Sequence, residues 1–236
     1  MDADHDEQQL RQLVATGCRI LGREQQGDLV WGHVSVRDPA GRGAWMKAST
    51  WGFEEIDKDR VLLVSWEGEV LDGEGRRHAE YPIHTEVMRA RDEVISVVHT
   101  HAPAAVALAA TGHPLRPISH EGTLFTPPDV PRFNETGDLI LDRELGASLA
   151  RTLGDRPAAF MVNHGVVTCG PDVPSAVMAA ILLDRACQMQ LNAMSAGGWA
   201  TWSDDAEALS KREHCYPPAL LQQAWDYLAR QLDRRS

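Results

Sequence analysis

Lysine is almost missing from this chain: of 23 basic residues, only Lys47, Lys58 and Lys211 are not arginine. A Schiff-base mechanism therefore has few candidates. Lys58 stands in Asp-Lys-Asp-Arg and Lys211 in Ser-Lys-Arg-Glu, both solvated charge runs, which leaves Lys47 in a semi-apolar stretch. The cysteines, Cys18, Cys169, Cys187 and Cys215, form no Cys-x-x-Cys pair. That excludes a thiolate zinc site or a redox motif and reads as core packing. No apolar run approaches the ~20 residues that span a bilayer, and Met1 to Gln9 is acidic and polar where a secretory signal is basic and then apolar. Basic charge is also short, with 34 acids giving a net charge of -11. Nucleic acid and anionic membranes are therefore unfavourable partners. With 43% apolar and 24% charged residues, the composition is that of an ordinary globular protein, expected in the cytoplasm.

Residue periodicity supplies the elements. Leu10, Leu13, Val14, Ile20 and Leu21 give a helical stripe over Asp6 to Arg23. Short runs at His33 to Arg37, Ala44 to Ala48, Val61 to Trp66 and Glu69 to Leu71, split by Gly and Pro punctuation, read as strands, the last two as a hairpin. A helix from Pro82 to Arg91 feeds a β-branched strand, Val94 to Thr100, and a buried helix over Ala102 to Ala110 follows. The proline-rich stretch from Gly112 to Gly137 reads as a long ordered loop. Beyond it come a helix over Leu139 to Leu153, strands at Ala158 to Val162 and Val166 to Cys169, and helices at Val173 to Ala196 and Leu220 to Leu232. With no repeat and no linker, one domain over residues 1–236 is expected, with a helical tail from about residue 204. The fold class is α/β, layered, with a partly antiparallel sheet.

Chemistry concentrates in histidine. His99 and His101 lie two apart at a strand end, so both rings point to one face and can meet one ion. His164, in Asn163-His164-Gly165, is a third candidate at another strand end. Three neutral imidazoles with an open position are the pattern of a catalytic zinc site, although spacing alone does not bring His164 near. Glu80 opens the helix that leads into the His-x-His strand, where a carboxylate can act as acid, base or fourth ligand; an acid at that position also suits the helix dipole. His84, one turn on, reads as a structural contact.

Glu80-Tyr-Pro-Ile-His84, Val97-Val98-His99-Thr100-His101 and Asn163-His164-Gly165, followed by an alanine-rich helix, resemble the class II aldolase/adducin family over about residues 10 to 200. The resemblance implies a three-layer α/β/α sandwich with a central, largely antiparallel or mixed sheet. It also implies one divalent metal per subunit held by His99, His101 and His164, zinc by family habit, with manganese, magnesium, cobalt and iron also fitting such a shell. Glu80 takes the acid/base role. The family assembles as a homotetramer with sites at subunit contacts and uses a C-terminal tyrosine from a neighbouring chain, for which Tyr216 is the candidate here.

Departures from the sugar-phosphate members matter equally. Where those carry Gly-Asn, a Thr/Ser-x-Gly loop and two serines before the glutamate, this chain has Gly32-His33, Ser49-Thr50-Trp51-Gly52 and His78-Ala79-Glu80. Imidazoles and an intruding Trp51 make a poor cradle for a phosphate dianion, which calls for many small donors. A flat carboxylate held by His33, His78 and Ser49, with Lys47 and Thr50 close by, fits better. The segments Gly32-His-Val-Ser-Val-Arg-Asp-Pro39 and Pro114-Leu-Arg-Pro-Ile-Ser-His-Glu-Gly-Thr-Leu-Phe125 resemble the family's aromatic-catabolism decarboxylases, which points to His120 and Glu121 as further substrate contacts. The expected reaction is decarboxylation of a hydroxylated aromatic or hydroxy-keto carboxylate such as a dihydroxyphthalate, through a metal-stabilised enolate. An aldolase or epimerase on a hydroxy-keto or sugar-phosphate substrate is the alternative, and a non-catalytic adducin-like interaction domain is another; members of that last kind lack the metal histidines.

Overall fold

Runs such as Val61-Leu-Leu-Val64 and Ala158-Ala-Phe-Met161 are apolar at consecutive positions, so these strands have two faces to bury. The computed structural model describes residues 3–232 and meets that demand with one sheet between two helical layers. Its strands are β1 (His33–Arg37), β2 (Gly43–Lys47), β3 (Val61–Ser65), β4 (Val70–Asp72), β5 (Ser96–Thr100), β6 (Arg132–Phe133), β7 (Ala158–Met161) and β8 (Gly165–Gly170). They run in the order β4-β3-β2-β1-β5-β8-β7-β6. Every pairing is antiparallel except β6 with β7. The helices are α1 (Ala3–Arg23), α2 (Tyr81–Ala90), α3 (Pro103–Thr111), α4 (His120–Phe125), α5 (Arg143–Leu153), α6 (Val173–Ser195), α7 (Asp205–Cys215) and α8 (Pro218–Leu232).

The two sheet faces bury different partners. Val34, Trp45, Leu63, Val98 and Phe160 pack against Val14 and Leu21 of α1, Leu108 of α3, Ile181 of α6 and Trp225 of α8. Their strand neighbours Val97, Met161 and Val167 turn the other way, onto Val87 of α2 and Leu149 of α5. Each fully buried side chain of this size contributes about 1.5–3 kcal/mol. The three layers and mixed sheet are those the family resemblance implied.

Four elements differ from the periodicity reading. The stretch expected as a loop after Gly112 contains α4, capped by the Ser119 hydroxyl, which accepts from Gly122 N–H, and the short β6. Helix α5 begins at Arg143 rather than Leu139, because Asp142 accepts the Leu145 amide as N-cap and leaves Leu139 and Leu141 exposed. Helix α7 falls in the helical tail expected from about residue 204, but periodicity gave it no bounds, since Ala208 is its one buried residue.

Candidate metal centre

Strand β5 lies between β1 and β8; it carries His99, and His101 follows directly after its last residue, Thr100. Register places His33 of β1 directly across from His99. From the other side, the β7–β8 turn delivers His164. That turn closes with the His164 amide donating to Met161 O, 3.0 Å, and Asn163 takes its positive φ of 62°, a conformation asparagine tolerates. Gly165 is therefore not the residue that makes the turn. It is needed because β8 passes so close to β5 that a Cβ there would lie 2.6 Å from Thr100 O and 2.9 Å from His101 Cδ2.

The rings of His99, His101 and His164 meet, with centroids 5.0, 5.0 and 5.4 Å apart. Their ligand nitrogens all lie within 4.8 Å of one another. His99 Nδ1–H donates to Val166 O at 2.9 Å, and His101 Nδ1–H donates to the Asp28 carboxylate at 2.8 Å. Both Nε2 atoms are thereby left with lone pairs, and these face each other across 3.2 Å. Two neutral lone pairs at that separation repel unless an electrophile sits between them. Two nitrogens on one tetrahedral zinc ion, each at about 2.0–2.1 Å from it, are themselves about 3.3 Å apart. His164 is more telling still: both its nitrogens are buried and find no hydrogen-bond partner among the described residues, a costly state for polar atoms. The donor set thus fits a divalent cation bound through imidazole. Burial, and next the neighbouring His164 and His101 rings, hold His99 well below the usual histidine pKa and keep it unprotonated.

Glu80 completes the cluster. It occupies the N-cap position of α2, yet its side chain does not cap the helix. Instead Oε1 accepts the Ile140 amide at 2.8 Å, and the carboxylate stands 3.5 Å from His164 Nε2 and 4.0 Å from His99 Nε2. A cavity of about 440 Å³ opens beside the rings, lined by Gly27, Asp28, His101, His164 and, from one face of α3, Pro103, Val106 and Ala107.

A model of the class II aldolase and adducin N-terminal domain matches residues 12–191. The chain belongs to the class II aldolase/adducin family. Over 204 residues it is 32% identical to a 3,4-dihydroxyphthalate decarboxylase of Arthrobacter keyseri, covering 80% of each chain. It is 33% identical over 204 residues to another from Terrabacter sp., covering 80% of this chain and 82% of that one. Among solved structures, the L-fuculose 1-phosphate aldolase of Glaciozyma antarctica superposes with a TM-score of 0.86 at 26% identity, covering 99% of this chain and 92% of that one.

The other candidate residues of this family member fall into three groups. His33 comes to the cluster, sharing a 4.8 Å neighbourhood with Glu80 and His99. It is backed by His84, whose Nε2 lies 2.6 Å from His33 Nδ1 and whose Nδ1 lies 2.6 Å from Ser35 Oγ, so His84 is the structural contact expected. Burial pushes His78 and His84 down to about 3. Lys47 and His78 also stay close by, but they engage each other: Lys47 Nζ donates to His78 Nε2 at 3.2 Å, to Val30 O at 3.0 Å and to Ala48 O at 3.3 Å. With three acceptors for three protons and no exposed surface, Lys47 holds the wall of the site together rather than offering a charge to substrate; burial lowers its pKa to about 8. Ser49 is tied through its amide to Arg76 O, Thr50 is exposed with a φ of 72°, and Trp51 stacks on the Arg60 guanidinium at 4.1 Å instead of intruding on the loop.

The third group lies elsewhere. His120 lines a separate cavity of about 290 Å³ between α4 and α7, with Trp202, Glu207 and Lys211. Its Nδ1 lies 3.4 Å from Cys215 Sγ, next to half-buried Tyr216, whose hydroxyl pKa is raised by burial and by nearby Glu121. His120, Glu121 and Tyr216 thus form their own group at the α4–α7 junction. Sequence reasoning missed Asp28, the Val166 carbonyl and the Ile140 amide. None carries a local signal, because each meets its partner through long-range packing.

Proposed function

We propose that the protein is a divalent-metal-dependent carbon–carbon lyase that decarboxylates a non-phosphorylated hydroxylated aromatic or hydroxy-keto carboxylate. The observation that carries this reading is the pair of opposed Nε2 lone pairs 3.2 Å apart, with the unpartnered His164 beside them. His99, His101 and His164 would hold the ion, zinc by family habit. Bound there, a divalent ion supplies Lewis-acid stabilisation of negative charge developing on a substrate oxygen.

The chain's own groups define the rest. Glu80, fixed by the Ile140 amide, keeps a carboxylate at the mouth of the triad, where it can hold a proton and deliver it to carbon as carbon dioxide leaves. Near it stand the buried, neutral imidazoles of His33 and His78, their ring centroids 4.4 Å apart, and not the many small donors a phosphate dianion needs. In the cavity beside the triad, the Pro103, Val106 and Ala107 face suits a flat, partly apolar substrate. The decarboxylase relatives support this choice of leaving group. The likeness to L-fuculose 1-phosphate aldolase keeps an aldolase as the second reading.

Exposed Leu29 and Trp31, 73% and 51% accessible beside Asp28, are the kind of surface a homotetramer covers, with sites at subunit contacts. In such an assembly Tyr216, His120 and Glu121 would serve a neighbouring chain's site. Three buried free thiols, Cys18, Cys169 and Cys187, suit the reducing cytoplasm.

The test is a panel of hydroxylated aromatic carboxylates and hydroxy-keto acids, with carbon dioxide and aldehyde both measured, with and without chelator. Chelator-sensitive carbon dioxide release is expected. Aldehyde release from the keto acids, with no carbon dioxide from any member, would replace this reading with the aldolase.

A further inference from the structure

His99 is oriented by a main-chain carbonyl, but His101 is oriented by a side chain that nothing in the local sequence connects to it. Asp28 Oδ2 lies 2.8 Å from His101 Nδ1, and the carboxylate is about half open to the cavity, with 43% of its side chain accessible. The contact spans 73 residues of chain. What brings Asp28 there is a strap, residues 24–32, that crosses the end of β5 between α1 and β1.

The strap is fastened by side chains and by a turn of its own. Gln26 is buried, and its Oε1 accepts the Thr100 hydroxyl at 3.0 Å, at the residue between the two histidines. Lys47 Nζ donates to Val30 O at 3.0 Å. Trp31 N–H donates to Asp28 O at 3.0 Å, closing a tight turn in which Leu29 takes a φ of 52°. A leucine held in the left-handed region is strained, and the strain is sustained by these anchors. The buried Lys47 and Gln26 thus both hold the strap that carries Asp28.

The geometry points to Asp28 as a positioning residue that fixes His101 as an Nε2 ligand. Imidazole carries one ring proton when neutral, and the acceptor on one nitrogen decides which nitrogen is left to bind an ion. Asp28 accepts a hydrogen bond from Nδ1–H and so keeps the ring proton there, which leaves the His101 lone pair at Nε2, opposite that of His99. A carboxylate in that role also makes the ring a stronger donor, and loss of such a partner weakens metal binding by roughly 10–100-fold. The ligands are then unequally supported: His99 and His101 are each held by an acceptor, whereas His164 Nδ1 has none among the described residues.

This inference rests on the three-histidine centre proposed above and is tested on metal binding, independently of turnover. The probe is zinc alone, titrated against a chromophoric chelator, with 15N-histidine spectra of the zinc-loaded chain. The wild type is expected to bind one equivalent and to show a His101 Nδ1–H resonance protected from exchange. Asp28→Ala should bind zinc 10–100-fold more weakly, lose that protected resonance and leave the melting temperature of the metal-free protein unchanged, since Asp28 is not in the core. Asp28→Asn keeps an acceptor at the same reach and should lose less. Unchanged zinc affinity in Asp28→Ala, or equal losses in the two variants, which would make the effect one of charge alone, overturns the inference while leaving the three-histidine centre in place. A wild type that binds no zinc, manganese, cobalt or iron overturns both.

Discussion

At the scale of single residues, Glu80 and the triad make separable demands. His99→Ala and His164→Ala each remove a ligand nitrogen, so both variants are expected to lose the bound ion and turnover together, measured by elemental analysis and carbon dioxide release. Glu80→Gln keeps an oxygen for the Ile140 amide but cannot carry the proton. It should retain the ion and slow turnover by roughly 10²-fold or more where proton transfer limits the rate. A Glu80→Gln variant with wild-type turnover would remove the residue from the proton-transfer role. How far these residues were legible differs with their chemistry. The His99–His101 pair follows from strand parity alone, because two residues apart on a strand means one face. His164 stood out as a third histidine at a strand end, but no periodicity joins it to β5, so only the family resemblance put it beside the pair. The Lys47–His78 engagement was hidden for the same reason: a lysine in a semi-apolar stretch looks like a cation awaiting a substrate until its three acceptors are seen.

At the scale of elements, the site depends on how closely β8 can approach β5. A Cβ at Gly165 would meet Thr100 O at 2.6 Å, His101 Cδ2 at 2.9 Å and His99 Cε1 at 3.0 Å, backbone and two ligand rings at once. Gly165→Ala should therefore cost about 1–3 kcal/mol, lowering the melting temperature by about 2–4 °C for each kcal/mol, and weaken metal binding as well. Calorimetry and zinc titration check the two effects, and a variant that melts and binds as the wild type does would contradict the strand approach described here. Elements with strong periodicity were readable: α1, α6, β1, β3 and β5 lie within a residue or two of where apolar spacing puts them, α1 starting slightly earlier. Those missed lack such a signal. Helix α4 has six residues, β6 has two, and α7 buries little beyond Ala208, so no stripe or alternation marks them.

At the scale of the whole molecule, the cost of the buried histidines appears as acid sensitivity. His78 and His84 have pKa values near 3 in the folded chain, chiefly through burial, against about 6.5 when unfolded. Between those values the unfolded state binds more protons, so stability rises with pH. Their contribution is complete above pH 6.5 and is lost as pH falls toward 3, at about 1.4 kcal/mol per pH unit for each ring. Denaturant midpoints measured between pH 7 and 4 should fall steeply, and His84→Gln should flatten the slope by one proton; a flat profile would contradict the buried, neutral assignment.

The claim beneath all of these is that three imidazoles from β5 and the β7–β8 turn hold one divalent ion. Elemental analysis of the purified protein after exhaustive dialysis tests it most directly. The account predicts close to one equivalent of zinc or a similar divalent metal per wild-type chain and close to none in His164→Ala; a metal-free wild type that still releases carbon dioxide from its substrate, or a His164→Ala variant that keeps a full equivalent, would contradict it.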